Sequence, residues 1–423
     1  MMAMENEKRE VFVYADWEGL AGPMLMGKLL VNRTRGKEIF AFEYDSEWMN
    51  SEFNMYLDPH LGLFNGQQYL PDDKPNFGMF LDSSPDRWGR LLMRRREAAM
   101  SRKDGRKENT LYETDYLLGV FDGHRMGGIR FKTDLVGDFL NNQKEMSSPP
   151  WTSLRELENA SLKLEREDAA SDPEYLKWLA MLIAPGSSLG GARPKAGVLD
   201  EKNRLWIAKF PSVNDEQDIG AWEMVLHHLA EACGIIVPEA RLLQFGSKHH
   251  TFLTKRFDRN NDSRRIHFAS ALTLLGYNDG SSHEDGVSYL EMVEIIQRFG
   301  AEPKRDLEQL WRRILFNVCV SNTDDHLRNH GFLLTERGWR LSPAYDMNPS
   351  ETGTGLKLNI SENDNSLSID LVMSVAGYFK VDETKSKTIL TEMQGMISKW
   401  NDIAKNVGIS NVERQRMSGA FNK

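Results

Sequence analysis

Apolar and polar residues alternate through VFVYADW (11–17) and GKLLV (27–31), with glycine-rich breaks, and again through KEIFAFEYD (37–45). A period of two predicts β-hairpins. From Phe77 to about Met100 the pattern changes: GMFLDSSPDRWGRLLMRRREAAM predicts entry into a helix, capped by Ser84 or Ser83 with Pro85 in the first turn. Asn109–Phe131 contains another helix-like piece and then a glycine-rich bend, DGHRMGGIRF. The polar stretch Asp134–Pro150, closing in SSPP, reads as a connection. A helix around Pro173–Ile183 precedes APGSSLGGARPKAGVL. A strand RLWIAKF follows, then a helix AWEMVLHHLAEACG with Trp222, Val225, Leu226 and Leu229 on one face. After a further β stretch, RLLQFGSKHHTFLTKRFD, the chain beyond about Phe268 is mainly helical. That helical part is broken by the hairpin GFLLTERGWRLSPAYD. No internal repeat or long low-complexity tract is visible.

The length, 423 residues, allows two or three domains with their own cores. The periodic elements divide it into a β-rich part (1–133), a strand-rich part (134–265) and a helical part (266–423). At 40% hydrophobic and 27% charged residues the composition is that of an ordinary globular protein. No apolar run is long enough to span a bilayer, and MMAMENEKRE lacks the apolar core of a secretory signal, so a cytoplasmic protein without membrane contact is expected. The two cysteines, Cys233 and Cys319, are expected to be buried thiols. A net charge of −9 argues against a general nucleic-acid coat, which needs positive charge.

Candidate chemistry concentrates in SNTDDHLRNHGFLLTERGWRLSPAYD, starting at Ser321. Asp324 and Asn329 are five positions apart, the spacing of Asp and Asn in the protein-kinase catalytic loop. A carboxylate there can orient an acceptor hydroxyl and take its proton, while an amide oxygen can hold magnesium without adding charge. The hairpin, turning near Arg337–Gly338, returns Asp346 beside the loop as a second magnesium ligand. The same spacing also fits a polar loop before a surface hairpin, since Asp, Asn and His are common turn residues. His326 reads as a structural hydrogen-bonding residue of that loop.

Lys209 shares one strand face with Leu205 and Ile207. A cation in line with apolar residues calls for an anion such as an ATP phosphate, or for a strand end from which it reaches water. Glu223, at the start of the next helix, could pair with Lys209 or simply complement the helix dipole. In GSSLGGARPKAGV, the glycines Gly190 and Gly191 allow backbone N–H groups close to an anion, although the segment is not a Walker A motif. One hairpin ahead of Lys209, it stands where a kinase phosphate-covering loop would.

Taken together, FLDSSPDRWGRLLMRRRE, MGGIRF, SSLGGARPKA, LWIAKF, KRFDR, NTDDHLRN and LSPAYD resemble the HipA family of bacterial toxin serine/threonine kinases, through most of the chain. The resemblance implies an α+β, two-lobed protein-kinase-like fold, related also to phosphoinositide kinases. It implies a β-rich N-terminal subdomain, an ATP-binding N-lobe part and an all-α C-terminal lobe. It implies Asp324 as the catalytic aspartate, Asn329 and Asp346 as ligands of Mg2+, and Lys209 as the lysine on the ATP phosphates. Gly190, Gly191, Ala192 and Lys195 fall in the phosphate loop. Lys255, Phe257 and Asp258, within KRFDR, fall in the hinge that meets adenine. Ser188, with Ser187 as its neighbour, matches the serine whose autophosphorylation ejects that loop. The family also implies a protein substrate such as an aminoacyl-tRNA synthetase, a helix-turn-helix antitoxin, and operator DNA reached mainly through the antitoxin. Two departures stand out: Lys255 replaces the acidic residue frequent at the hinge start, and GARPK replaces G-x-Q-E-K.

The run Met93–Lys107 is basic, but Arg94, Arg95 and Arg96 point three ways around a helix and form no stripe for DNA. Two other functions compete. The order Asp324, His326, Asn329 also resembles phosphoinositide-kinase loops, which suits a small-molecule or lipid kinase. A catalytically silent scaffold for antitoxin and DNA is the other, and the set Lys209, Asp324, Asn329 and Asp346 disfavours it.

Overall fold

The alternating N-terminal segment folds as a β-meander in this computed structural model, which describes residues 7–34, 36–71, 73–143, 147–183, 191 and 193–421. The chain divides into two compact units. One comprises residues 1–208 and 258–269, the other residues 209–257 and 270–423. The boundaries expected from sequence, 133/134 and 265/266, cut the chain elsewhere.

In the first unit β1 (Glu7–Ala15), β2 (Met24–Thr34), β3 (Lys37–Tyr44), β4 (Gln67–Tyr69) and β5 (Ile129–Lys132) form one sheet in the order β4-β3-β2-β1-β5. The β1–β2, β2–β3, β3–β4 and β1–β5 pairs are antiparallel. Val11, Val13 and Ala15 point inward at every second position, as period-two alternation requires. Phe42, Phe77, Phe80 and Phe131 pack edge to face or tilted beside them and are buried.

Helix α1 (Arg87–Asp104) is capped by Asp86, whose carboxylate accepts from the Gly89 N–H at 2.8 Å. The sequence pattern points to Ser83 or Ser84. Both hydroxyls instead donate backward, to the carbonyls of Met79 and Phe80, and so close the short preceding helix Gly78–Leu81. Arg125, in the glycine-rich bend before β5, is fully buried and donates to the carbonyls of Ser83, Leu117, Val120 and Leu140. Desolvation pushes its pKa down to about 10. Helices α2 (Leu154–Leu164) and α3 (Tyr175–Ile183) pack on one another and precede β6 (Lys195–Leu199) and its neighbour β7 (Leu205–Lys209).

Lys209, the last residue of β7, opens the second unit. Helix α4 (Ile219–Ala232) follows and buries Trp222, Val225, Leu226 and Leu229, the face its periodicity marks. Strands β8 (Ala240–Leu243) and β9 (Thr251–Lys255) pair antiparallel. Helix α5 (Tyr289–Phe299) begins with the capping box Ser288–Glu291, and α6 (Pro303–Cys319) begins with Pro303 in its first turn. The hairpin of β10 (Gly331–Thr335) and β11 (Gly338–Leu341) interrupts the helices, with Glu336 and Arg337 at its tip.

Helices α7 (Glu383–Ile397), α8 (Trp400–Val407) and α9 (Asn411–Met417) finish the unit. They dock on α4 through Glu413, which accepts from Trp222 Nε1 at 2.9 Å and from the Asp218 N–H at 2.8 Å, and through the Trp222, Trp400 and Phe421 rings. Cys233 and Cys319 are buried and form no disulfide, and burial pushes the Cys233 thiol up to about 12. Among the described residues no helix is long and apolar enough to cross a membrane.

Candidate functional site

Lys209 sits where a strand ends and its ammonium meets two carboxylates. It donates to Glu223 Oε1 at 2.6 Å and to Asp346 Oδ1 at 2.6 Å. Glu223 lies in the second turn of α4 and is buried. Asp218, not Glu223, caps the helix, its carboxylate accepting from the Ala221 N–H at 3.1 Å, and Glu223 pairs with the strand lysine. Burial alone would lower the Lys209 pKa. Asp346 and Glu223 outweigh it and hold the ammonium charged, with its pKa above the usual lysine value. Asp346 has a left-handed backbone, φ +60, a conformation that Asp adopts more readily than most residues. Anchoring on either side fixes that turn: Ala344 N–H donates to Ile236 O at 2.8 Å, and Asn348 N–H to Asn322 Oδ1 at 3.2 Å.

The loop after α6 carries Asp324, exposed to solvent, and Asn329, buried. Asn329 Nδ2 donates to the Asp324 carbonyl at 3.1 Å, closing the loop on itself. Its Oδ1 is buried without any hydrogen-bond partner. Such an orphaned acceptor costs about 1–3 kcal/mol unless something else satisfies it. A magnesium ion suits it, because a hard cation takes neutral amide and carboxylate oxygens together. Asp346, whose Oδ1 accepts from Lys209, offers a carboxylate oxygen of that charged kind on the segment after the hairpin. The two segments are joined through Ser350 N–H to Ser321 O at 2.9 Å and Tyr345 Oη to Arg328 O at 2.7 Å, besides the Asn348–Asn322 bond.

A residue that spacing did not single out organises the loop. Asp325, next to Asp324, is buried and accepts from Tyr289 Oη at 2.5 Å, Asn317 Nδ2 at 2.7 Å and His330 Nε2 at 2.8 Å. Burial would raise its pKa, but His330 and the Tyr289 hydroxyl hold it below the usual carboxylate value. The three donors come from α5, α6 and the start of the hairpin, so this one carboxylate ties the loop to its surroundings. Its only sequence signal is an acidic residue beside another acidic residue, and burial alone separates their roles.

The other described candidates have contacts of their own. Lys195 is buried in the first unit, paired with Asp86 at 2.8 Å and donating to the Gly191 carbonyl at 3.4 Å. Trp88 Nε1 donates to the Lys195 carbonyl at 3.2 Å, so the Asp86-x-Trp88 segment and the lysine are one packed unit. Gly190, Ala192, Ser187 and Ser188 lie outside the described residues. Lys255 ends β9 half-buried, and the Phe257 ring packs tilted against Tyr345, 5.5 Å between centroids. Asp258 belongs to the first unit. It is fully buried and accepts from the Gly127 N–H at 2.9 Å and from Arg259 at 2.6 Å. Gly127 has φ +71, and a Cβ there would come within 3.0 Å of the Phe268 N, which is why the bend needs glycine.

Comparison with known proteins bears on this arrangement. Residues 187–400 match the profile of the HipA-like C-terminal domain, half of the chain. Y4mE of Sinorhizobium fredii is 28% identical over 148 residues, 33% of this chain and 33% of that protein. The serine/threonine-protein kinase toxin HipA of Shewanella oneidensis is 27% identical over 145 residues, 30% of this chain and 33% of the toxin. Alignments of this kind span from a third to about half the length of the curated relatives. A chain in the solved Shewanella oneidensis complex of HipA, HipB and operator DNA superposes with a TM-score of 0.63 at 18% identity, covering 97% of this chain and 95% of that one. That likeness bears out the α+β, two-lobed, kinase-like fold class, the C-terminal part being helical apart from its hairpin. The chain belongs to the HipA family.

Proposed function

We propose that this protein is an ATP- and Mg2+-dependent serine/threonine-protein kinase, the toxin of a toxin–antitoxin pair. The observation that carries the reading is the Lys209 ammonium shared between Glu223 and Asp346 at 2.6 Å each. In a protein kinase the strand lysine, the helix glutamate and a metal-binding aspartate must assemble before phosphoryl transfer. Lys209 would hold the ATP phosphates once Asp346 turns to magnesium, with Glu223 keeping the ammonium in place. Asn329 and Asp346 would hold the magnesium. When held there, magnesium would supply positive charge to offset that developing on the transferred phosphoryl group. Asp324, exposed on its loop, is the group free to accept the hydroxyl proton of an incoming serine or threonine.

Several finer roles rest on the family resemblance: the phosphate loop of Gly190, Gly191, Ala192 and Lys195, the adenine hinge of Lys255, Phe257 and Asp258, and inactivation by autophosphorylation at Ser188. A phosphate on that serine would put nearly two negative charges where ATP phosphates belong, which suits an off-switch. A helix-turn-helix antitoxin and, through it, operator DNA are the proposed partners, and an aminoacyl-tRNA synthetase the proposed kind of substrate. In support, the family relative from Shewanella oneidensis carries the name of a kinase toxin, and the superposed chain comes from a complex with HipB and operator DNA.

Nucleotide binding tests the reading directly. A ligand that binds only the folded protein must raise its melting temperature. Mg-ATP is expected to raise that of the wild type by several degrees and to do so far less for Asp346→Asn. Equal shifts, or none in either protein, would count against the site.

A further inference from the structure

Helix α4 carries a second cluster of ligating groups that phosphoryl transfer does not use. His227, His228 and Glu231 each offer one ligand atom, and those atoms all lie within 4.8 Å of one another. Glu231 is four positions from His227 and three from His228, the two spacings that bring side chains together on a helix. His227 is buried, whereas His228 and Glu231 are exposed.

The hydrogen bonding of His227 points to a ligand. Its Nε2 lies 2.6 Å from the Pro238 carbonyl, which can only accept, so Nε2 carries the proton. Nδ1 is therefore the nitrogen with the lone pair, and it is buried with no hydrogen-bond partner. An imidazole whose far N–H is anchored on a backbone carbonyl is the usual arrangement of a metal-binding histidine, because the anchor fixes tautomer and ring orientation. The ring is further held beside Phe252, 6.4 Å between centroids.

We propose that His227 Nδ1, His228 and Glu231 form a binding site for one divalent transition metal ion of the zinc class. Two imidazoles and one carboxylate suit Zn2+ at about 2.0–2.2 Å per ligand, with water completing a tetrahedron. Such ligand atoms stand about 3.4 Å apart in a tetrahedron of those bond lengths. The ligand atoms now lie within 4.8 Å of one another, and the exposed side chains of His228 and Glu231 would close the rest by moving in on the anchored His227. Magnesium and calcium are excluded as natural occupants, since they favour all-oxygen sites. The Glu231 carboxylate offsets part of the ion's charge.

The test uses the full chain, stripped of metal by chelator and free of nucleotide, so that its outcome is separate from that of the kinase reading. Zn2+ is titrated calorimetrically, and Co2+ is added as a spectroscopic stand-in. Wild type is expected to take one equivalent of Zn2+ and to give the intense visible bands of tetrahedral Co2+. His228→Asn and Glu231→Gln, both at exposed positions, are each expected to weaken Zn2+ binding by at least roughly tenfold and to lose the Co2+ bands. Absence of stoichiometric binding in wild type, or variants that bind and absorb as wild type does, would overturn the proposal.

Discussion

The Lys209 ammonium stands 2.6 Å from Glu223 and 2.6 Å from Asp346, so carboxylates from two distant parts of the chain share one cation. Removing the cation leaves two carboxylates facing each other, one of them buried. Lys209→Met is therefore expected to lower phosphoryl transfer on the order of 100–1,000-fold. It should also lower stability by roughly 3 kcal/mol, since a broken buried pair leaves an uncompensated charge. Chemical denaturation and an ATP-turnover assay on the same preparation separate the two effects. A variant with normal turnover would contradict the assigned role.

The adjacent aspartates are expected to behave oppositely. Asp324 is exposed, so Asp324→Asn should leave stability within about 0.5 kcal/mol of wild type while removing the proton acceptor. Asp325 is the buried acceptor of Tyr289, Asn317 and His330, and Asp325→Ala should cost roughly 2–5 kcal/mol. Thermal unfolding of both variants decides it: equal losses would show that the loop does not hang on Asp325.

This contrast marks what the sequence could and could not say. The loop of Asp324 and Asn329 and the hairpin that leads to Asp346 are readable because turn-forming residues and period-two alternation mark them locally. The pairing of Glu223 with Lys209 was one of two readings, and the 2.6 Å contact decides between them. The part played by Asp325 is not readable: Asn317 and His330 stand eight and five positions away and Tyr289 thirty-six, but no spacing rule shows that all three turn towards it. The same holds for Asp86, which caps α1 and meets Lys195 109 positions away. The division between units was equally silent: it falls at the end of β7, where the apolar pattern of a strand runs on without a break.

Acid stability should depend on His267. This imidazole is buried, stacked 4.9 Å from Trp17, and desolvation pushes its pKa down to about 3. In the unfolded chain it titrates near 6.5, so between about pH 6.5 and 3 the unfolded state binds the extra proton. Its contribution is fully present above about pH 6.5 and is lost as pH falls, by about 1.4 kcal/mol per unit within that window. His267→Gln should flatten the fall in melting temperature between pH 6.5 and 4.5. An unchanged slope would show that other groups set the acid limit.

The hairpin that delivers Asp346 depends on Gly338. Its φ of +124 lies where only glycine is comfortable, and a Cβ there would stand 2.4 Å from the Phe299 carbonyl oxygen. Because that neighbour is backbone, it cannot move aside cheaply. Gly338→Ala is expected to destabilise the protein by roughly 1–3 kcal/mol, read as a lower denaturation midpoint. A midpoint equal to wild type would mean the turn relaxes freely.

Quantitative phosphoproteomics after matched expression of wild type and Asp324→Asn decides whether this chain transfers phosphate to protein. Serine or threonine sites, on a cellular protein and on the chain itself, are expected to rise in occupancy with the wild type and not with the variant. Identical phosphorylation in the two samples, with both proteins folded, would contradict the kinase reading.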